Sequence, residues 1–309
     1  MFKYIGKRIL AMIPVVLGIS FIIFTIMNTT PGDPARLILG DAASTEDVEA
    51  LREEMGLNDK FFTRYLNYVK NAVRGDFGVS YRTRVPVYDE LFGRLPSTLK
   101  LAFGATVLMV IIGIPIGIVS AVKQYSIIDT ASLFSAFLLT SMPGFWLGLM
   151  LILLFSLKLD LLPATGVDTW KHYILPSITL AAANMASLVR MTRSSMLEVI
   201  RQDYVRTAKA KGAGELRIIF KHALRNALLP VITIVGMNFG VMLGGTMIIE
   251  SVFAMPGLGT MTITSIRMKD TPYVMASVLF VTIAIGIMNL LVDILYTYVD
   301  PRLKTQLKG

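Results

Sequence analysis

Cysteine is absent from all 309 residues. Disulfides, Cys-ligated zinc and iron–sulfur clusters are therefore excluded. Histidine is almost absent too: His172 and His222 stand far apart and make no metal-ligand spacing. Charge is scarce, at 17% of residues, where soluble domains run near about 25%. No G-x-x-x-x-G-K-[ST] run occurs, so the chain holds no phosphate loop of the usual kind. It also lacks H-E-x-x-H and the G-x-S-x-G elbow. What is abundant is hydrocarbon. Hydrophobic residues make up 54% of the chain and mean hydropathy is +0.64. That composition belongs to an all-α integral membrane protein. The net charge of +9 needs no nucleic acid partner, since inner loops of membrane proteins are basic.

Six stretches are apolar enough to span a bilayer, which takes about 20 residues each. They are roughly 9–28, 98–121, 131–157, 174–192, 229–251 and 273–297. The first follows Lys3, Lys7 and Arg8 and lacks a small-x-small cleavage site, so it reads as a retained helix, not a signal peptide. With both termini inside, the inner segments carry sixteen Lys or Arg and the two short outer loops carry four: Lys158, Lys171, Arg267 and Lys269. The basic excess fixes this orientation, with N- and C-termini cytoplasmic. The chain then divides into residues 1–28, an outer loop at 29–97, and a core at 98–309 with a long inner loop at 193–229.

The outer loop is expected to fold. Ser44, Thr45 and Asp47 look like a helix start, and Gly56 after Met55 looks like its stop. A second helix is expected from about Asp59 to Arg74, with Phe62, Tyr65, Leu66, Val69 and Val73 at helical spacing and Gly75 ending it. A cap on the outer helix ends and a docking or gating element both fit this loop.

Ionisable groups are sparse at membrane depth. Lys100, Arg190, Glu250 and Asp293 lie near span ends, so no buried proton relay is visible. A transporter of this kind must draw its energy from a partner. The densest basic stretch, DYVRTAKAKGAGELRIIFKHALRNALLP at 203–230, falls in the long inner loop. Asp203 can cap a helix that Gly212-Ala213-Gly214 breaks. A second segment follows from about Glu215, with Leu216, Ile219, Phe220, Ala223 and Leu224 recurring on one face and Pro230 where the next span begins. A helix lying on the anionic leaflet and a docking helix for a cytoplasmic partner both fit.

This stretch resembles the cytoplasmic coupling loop of ABC-transporter permeases. The generic pattern is met at Ala208, Gly212 and Leu224 and not at Arg206, Thr207, His222 or Arg225. The fuller run TAKAKG…HALRNALLPVI is similar to the dipeptide/oligopeptide permease family, with its nickel and glutathione relatives. PGDP at 31–34, GLND at 56–59, GDFGVS at 75–80, RLPSTLKL at 94–101, SMPGFWLG at 141–148, ESVFAMPGLG at 250–259 and VDPR at 299–302 extend that likeness along the chain. The long loop after the first span fits the family's B-type member.

The resemblance implies a type I importer-like permease in a prokaryotic cell membrane, paired with a second, homologous permease. Two cytoplasmic ABC ATPases and an extracytoplasmic binding protein complete the assembly. This chain then needs no cofactor of its own, and ATP and Mg sit on the ATPases. Asp203, Tyr204, Arg206, Thr207, Ala208, Lys211, Gly212, Ala213 and Leu216 are the expected coupling residues. Asn184, Asn238, Met242, Glu250 and Asn289 are candidates for the substrate path, with Met237 beside them. Phe253, Pro256, Gly257 and Gly259 are candidates for an outer gate loop, either re-entrant or ordinary. Helix–helix hydrogen bonding is the competing role for the asparagines. Dipeptides or oligopeptides are the implied substrates, with nickel complexes or glutathione as alternatives. An autonomous secondary carrier and a membrane scaffold are the competing function classes.

Overall fold

The computed structural model describes residues 2–299. Arg302, Lys304 and Lys308, with the end of the VDPR motif, lie outside the described residues. In chain order the α-helices are α1 (Phe2–Thr29), α2 (Pro34–Leu39), α3 (Thr45–Glu54), α4 (Phe61–Ala72), α5 (Val87–Val122), α6 (Ile127–Ser141) and α7 (Gly144–Leu151). They continue with α8 (Ile174–Ile200), α9 (Asp203–Ala210), α10 (Glu215–Arg217), α11 (Arg225–Val252), α12 (Leu258–Arg267) and α13 (Thr271–Val299). Among the described residues the β-structure is one isolated bridge, Val79 to Pro86.

Five helical segments are long and apolar enough to cross a membrane: Tyr4–Thr29, Val87–Val122, Trp170–Ile200, Glu215–Val252 and Thr271–Tyr296. The expected third span is not one straight helix. It breaks between α6 and α7 and bends by 99°. Pro143 is the cause: it pushes Met142 into extended backbone at φ −82°, ψ 130°, which ends α6. A π-helical turn, Ile152–Lys158, continues α7.

The chain forms two compact units. One contains Leu99–Met255 and the described residues from Ile285 onward. Here α5 packs on α8 through small residues. A Cβ on Gly104 would meet Ser177 Oγ at 2.9 Å, one on Gly113 would meet Leu188 Cδ2 at 3.0 Å, and one on Gly117 would meet Thr192 Cβ at 2.5 Å. Apolar burial gives little between helices in lipid, so close backbone approach of this kind is what holds them together.

The same contacts fix helix direction. Positions 104, 113 and 117 meet 177, 188 and 192, both rising, so α5 and α8 are parallel. By contrast, Asn238 meets Ser187 while Gly245 meets Leu180, so α8 and α11 are antiparallel. Likewise Thr233 bonds Tyr296, Gly236 packs on Val292 and Gly240 on Ile285, so α11 and α13 are antiparallel. Two parallel spanning helices require an odd number of crossings between them. The bent α6–α7 pair is therefore a full crossing, and the spans among the described residues number six.

The other unit contains Lys7–Thr98 and Pro256–Ala284. Ser44 caps α3 as expected, accepting from Asp47 N at 3.1 Å, and Gly56 follows the helix at φ +65°. The second helix of the loop is α4. Phe61 and Tyr65 pack edge-on against Phe21 of α1, and the Tyr65 hydroxyl bonds Ser20 Oγ at 2.9 Å and Leu17 O at 3.0 Å. The helix thus lies along the second half of α1, from Leu17 to Phe24, not only on its end. The expected apolar face is split by this packing: Tyr65 and Val69 are half-buried, while Phe62, Leu66 and Val73 stay exposed. The GDFG turn forms, with Asp76 Oδ1 accepting from Gly78 N at 2.9 Å. It is pinned by Asp270, which accepts from the Ser80 hydroxyl and from Tyr81 N. Beside it Lys269 donates to the carbonyls of Thr30 and Gly32. The second span begins eleven residues before the expected position 98, at Val87, because Val87 and Leu91 bury their side chains against Leu258, Met261, Tyr273 and Ala276.

Candidate functional site: the α9 segment and the polar groups of the helical core

Helix α9 is short and polar, and it is held between two long helices. Two residues join it to α8 and four join it to α10. Its N-cap is Gln202, not Asp203; Asp203 is the first helical residue, and no side chain caps the end. Val205 is the buried anchor of the helix. Asn226 of α11 donates to the Tyr204 hydroxyl at 2.8 Å, tying α9 to the start of the fifth span. Asp203, Tyr204, Arg206, Thr207, Lys211, Gly212 and Leu216 are exposed, while Ala208 and Ala213 are half-buried. All nine expected coupling residues therefore fall on one short segment, seven of them exposed.

Gly212 ends the helix at φ +79°. Nothing lies within 4 Å of the place where its Cβ would be. Within this chain the glycine is required by its left-handed backbone, not by crowding. The next segment does not present the single apolar face expected of it. Ile218 and Ala223 are buried, but Leu216 is 72% exposed and Phe220 58% exposed. A π-helical stretch at Ile218–Leu224 shifts the periodicity, which separates the two sets. Pro230 also departs from expectation. It lies inside α11, within one helical run from Glu215 to Val252.

A group that the sequence did not reveal ties α5, α6 and α8 together. Asp129 at the start of α6 accepts from Arg193 Nε and Nη2, each at 2.8 Å, and from Tyr125 N at 2.9 Å. Ser120 of α5 donates to the same carboxylate. The bidentate fork fastens the α5–α6 turn to α8, ten residues before α9 begins. The only sequence signal was Ser126 three residues before Asp129, a capping pattern that marks a helix start and says nothing of Arg193.

The substrate-path candidates do not converge on one site. Asn238 is buried and donates to Ser187 Oγ at 3.0 Å and to Met109 Sδ at 3.5 Å. It serves as a helix–helix tie. Asn184 donates back to Leu180 O at 3.2 Å, and Asn289 is exposed. Met242 is fully buried beside Thr106, whereas Met237 is exposed. Glu250 is fully buried at the end of α11. Phe253 is buried beneath Gly148, and a left-handed Ala254 turns the chain after it. In the other unit Gly257 and Gly259 are buried and Pro256 is exposed, and Gly257 is the N-cap of α12. A cleft of about 570 Å³ lies among α5, α6, α7 and α8, walled by residues such as Leu108, Ile112, Met185 and Val189. Its wall is largely hydrocarbon, and none of the polar candidates lines it.

Two family descriptions match. "Binding-protein-dependent transport system inner membrane component" covers residues 113–305, and the N-terminal component of such systems covers residues 1–102. The glutathione transport system permease protein GsiC of Escherichia coli (strain K12) is 42% identical over 304 residues, covering 98% of this chain and 99% of its own. The same-named protein of Shigella dysenteriae serotype 1 (strain Sd197) is equally similar. Among solved structures, the inward-facing MetNI methionine ABC transporter superposes with a TM-score of 0.57 at 17% identity, over 68% of this chain and 96% of that one. An amino acid ABC transporter with histidines gives 0.51 at 19% identity, over 66% and 94%. These two establish the fold, that of type I importer permeases. The chain is a multi-pass bacterial inner-membrane protein and a non-catalytic permease subunit, and it belongs to the ABC permease family of the peptide, nickel and glutathione importers.

Proposed function

We propose that this chain forms half of the translocation path of an ATP-driven importer of short peptides, glutathione among them. A second permease supplies the other half, an external binding protein delivers the substrate, and two ATPases hold ATP and Mg on the cytoplasmic side. Both chain termini face the cytoplasm. The observation that carries the coupling role is the placement of α9. It exposes one face, two residues join it to the spanning helix α8, and four join it to the continuous helical run Glu215–Val252 that contains α11. A rigid link of that form can pass the closing of an ATPase pair into the membrane as a rigid-body movement. Exposed Tyr204, Leu216 and Phe220 supply the apolar anchors, and Arg206 and Lys211 the basic rim. The 42% identity to a glutathione permease supports a peptide-like substrate. Nickel is less well supported, as no group of three metal-ligating side chains occurs among the described residues.

The test is Gly212→Trp in the assembled transporter. Insertion is expected to be intact, with uptake and its coupling to ATP hydrolysis both lowered. Normal uptake by a well-expressed variant would overturn the coupling role. Uptake by this chain alone in liposomes, without ATP, would favour a secondary carrier. Uptake indifferent to ATP depletion would favour a scaffold.

A further inference from the structure

A pocket of about 250 Å³ lies in the outer unit, against the polar side of α4. Its size suits a small solute or one end of a larger one. Its polar wall is made by Asp59, Arg64, Asn67, Tyr68, Asn71 and Tyr81. Positions 64, 67, 68 and 71 are spaced by three and four, so they form one stripe of α4. The adjoining stripe, Phe61 and Tyr65, is occupied by α1. The helix is therefore oriented by its aromatics, and its amides and guanidinium are turned into the pocket as a consequence.

Those groups have unused bonding capacity. Arg64 lies over the Phe24 ring at 5.8 Å and gives one long bond to Leu57 O, at 3.4 Å, and among the described residues it has no carboxylate partner. Among the described residues, the side chains of Asp59, Asn67 and Asn71 make no hydrogen bond in the chain. The Tyr68 hydroxyl is buried without a partner. The Tyr68 hydroxyl is the telling group, because buried polar groups are nearly always satisfied, while half-buried Arg64 and the exposed amides of Asn67 and Asn71 stand beside it open to a solute. A carboxylate from solution would meet Arg64 and the two amides. An ammonium group would meet Asp59. Burial also pushes the Tyr81 hydroxyl up from its ordinary range, so it stays protonated and available to donate.

We propose that this pocket is a binding site for a small zwitterion bearing both an ammonium and a carboxylate group, as at the ends of an amino acid or dipeptide. It deepens the importer reading, and rests on it, by giving incoming substrate an external foothold on this subunit.

The experiment uses the full transporter in nanodiscs of phosphatidylglycerol, which removes zwitterionic lipid headgroups as a source of the same chemistry. Glycylglycine is titrated calorimetrically, beside its N-acetylated and C-amidated forms. Saturable binding is expected, weakened at least tenfold by either modification and at least tenfold by Arg64→Gln or Asp59→Asn. Asp59 is exposed, so its variant keeps the test valid if the Arg64 variant fails to assemble. Repeating the titration with phosphatidylethanolamine added separates the sources. Unchanged affinity supports a solute site, and competition by the lipid overturns it. Wild-type affinity in both variants also overturns it, even if peptide uptake is normal and the importer reading stands. If no peptide is transported, the importer reading fails by itself, and loss of glycylglycine binding on Arg64→Gln still supports the pocket.

Discussion

Asp129 and Arg193, sixty-four positions apart in sequence, face each other as a two-pronged ion pair with both N–O distances at 2.8 Å. The carboxylate is buried and the guanidinium one-fifth exposed. Hydrogen bonds to charged groups of this type contribute about 1.5–3 kcal/mol, and an abandoned partner costs more. Asp129→Asn and Arg193→Gln are each expected to lower the unfolding temperature of the purified subunit. The double variant is expected to lose less than the sum. Thermal unfolding in detergent across the four-member cycle reads this directly, and strict additivity would show that the pair does not interact.

Packing of α5 on α8 makes a second expectation. A methyl on Gly117 would meet Thr192 Cβ at 2.5 Å and the Val189 carbonyl at 2.9 Å, and a backbone carbonyl cannot swing aside. Gly117→Ala should destabilise by about 1–3 kcal/mol, the usual cost of overpacking. Gly93, on the same helix, has nothing within 4 Å, so Gly93→Ala should be neutral or stabilising by up to about 1 kcal/mol. Size-exclusion of heated samples compares the two. Equal behaviour would mean that α5 and α8 are not packed through Gly117.

The spans were legible because an uninterrupted apolar run of about 20 residues matches the thickness of a bilayer core. The α9 segment was legible because Gly212 and the basic residues punctuate it. The bend at Met142–Pro143 was written in the sequence as SMPG, yet hydropathy averages across it. Asp129–Arg193 and the α4 pocket were not legible. Their partners are far apart in sequence, or become a set only once Phe61 and Tyr65 have turned the helix. Pro230 misled because a helix start tolerates proline, but here the helix had already begun at Glu215.

Tyr204 and Asn226 supply a further test. Their bond is exposed, so its loss should cost at most about 1 kcal/mol of stability. If α9 must move with α11, Tyr204→Phe and Asn226→Leu should each reduce ATP-driven uptake several-fold, and the double variant no further. Uptake in proteoliposomes, normalised to reconstituted protein, checks this. Additive losses would mean that the two side chains act separately.

The parallel order of α5 and α8 predicts membrane sidedness. With no native cysteine, single introduced cysteines report without background. Glu53→Cys on α3 and Asp168→Cys before α8 should react with an impermeant maleimide in intact spheroplasts. Lys123→Cys, in the α5–α6 turn, and Lys209→Cys, on α9, should react only after permeabilisation. The pair 123 and 168 is the decisive one. If α6 and α7 dipped into the bilayer and returned, both positions would label from the same side. Two parallel helices could not then be joined by that segment, so opposite labelling is what the packing of Gly104, Gly113 and Gly117 on α8 requires.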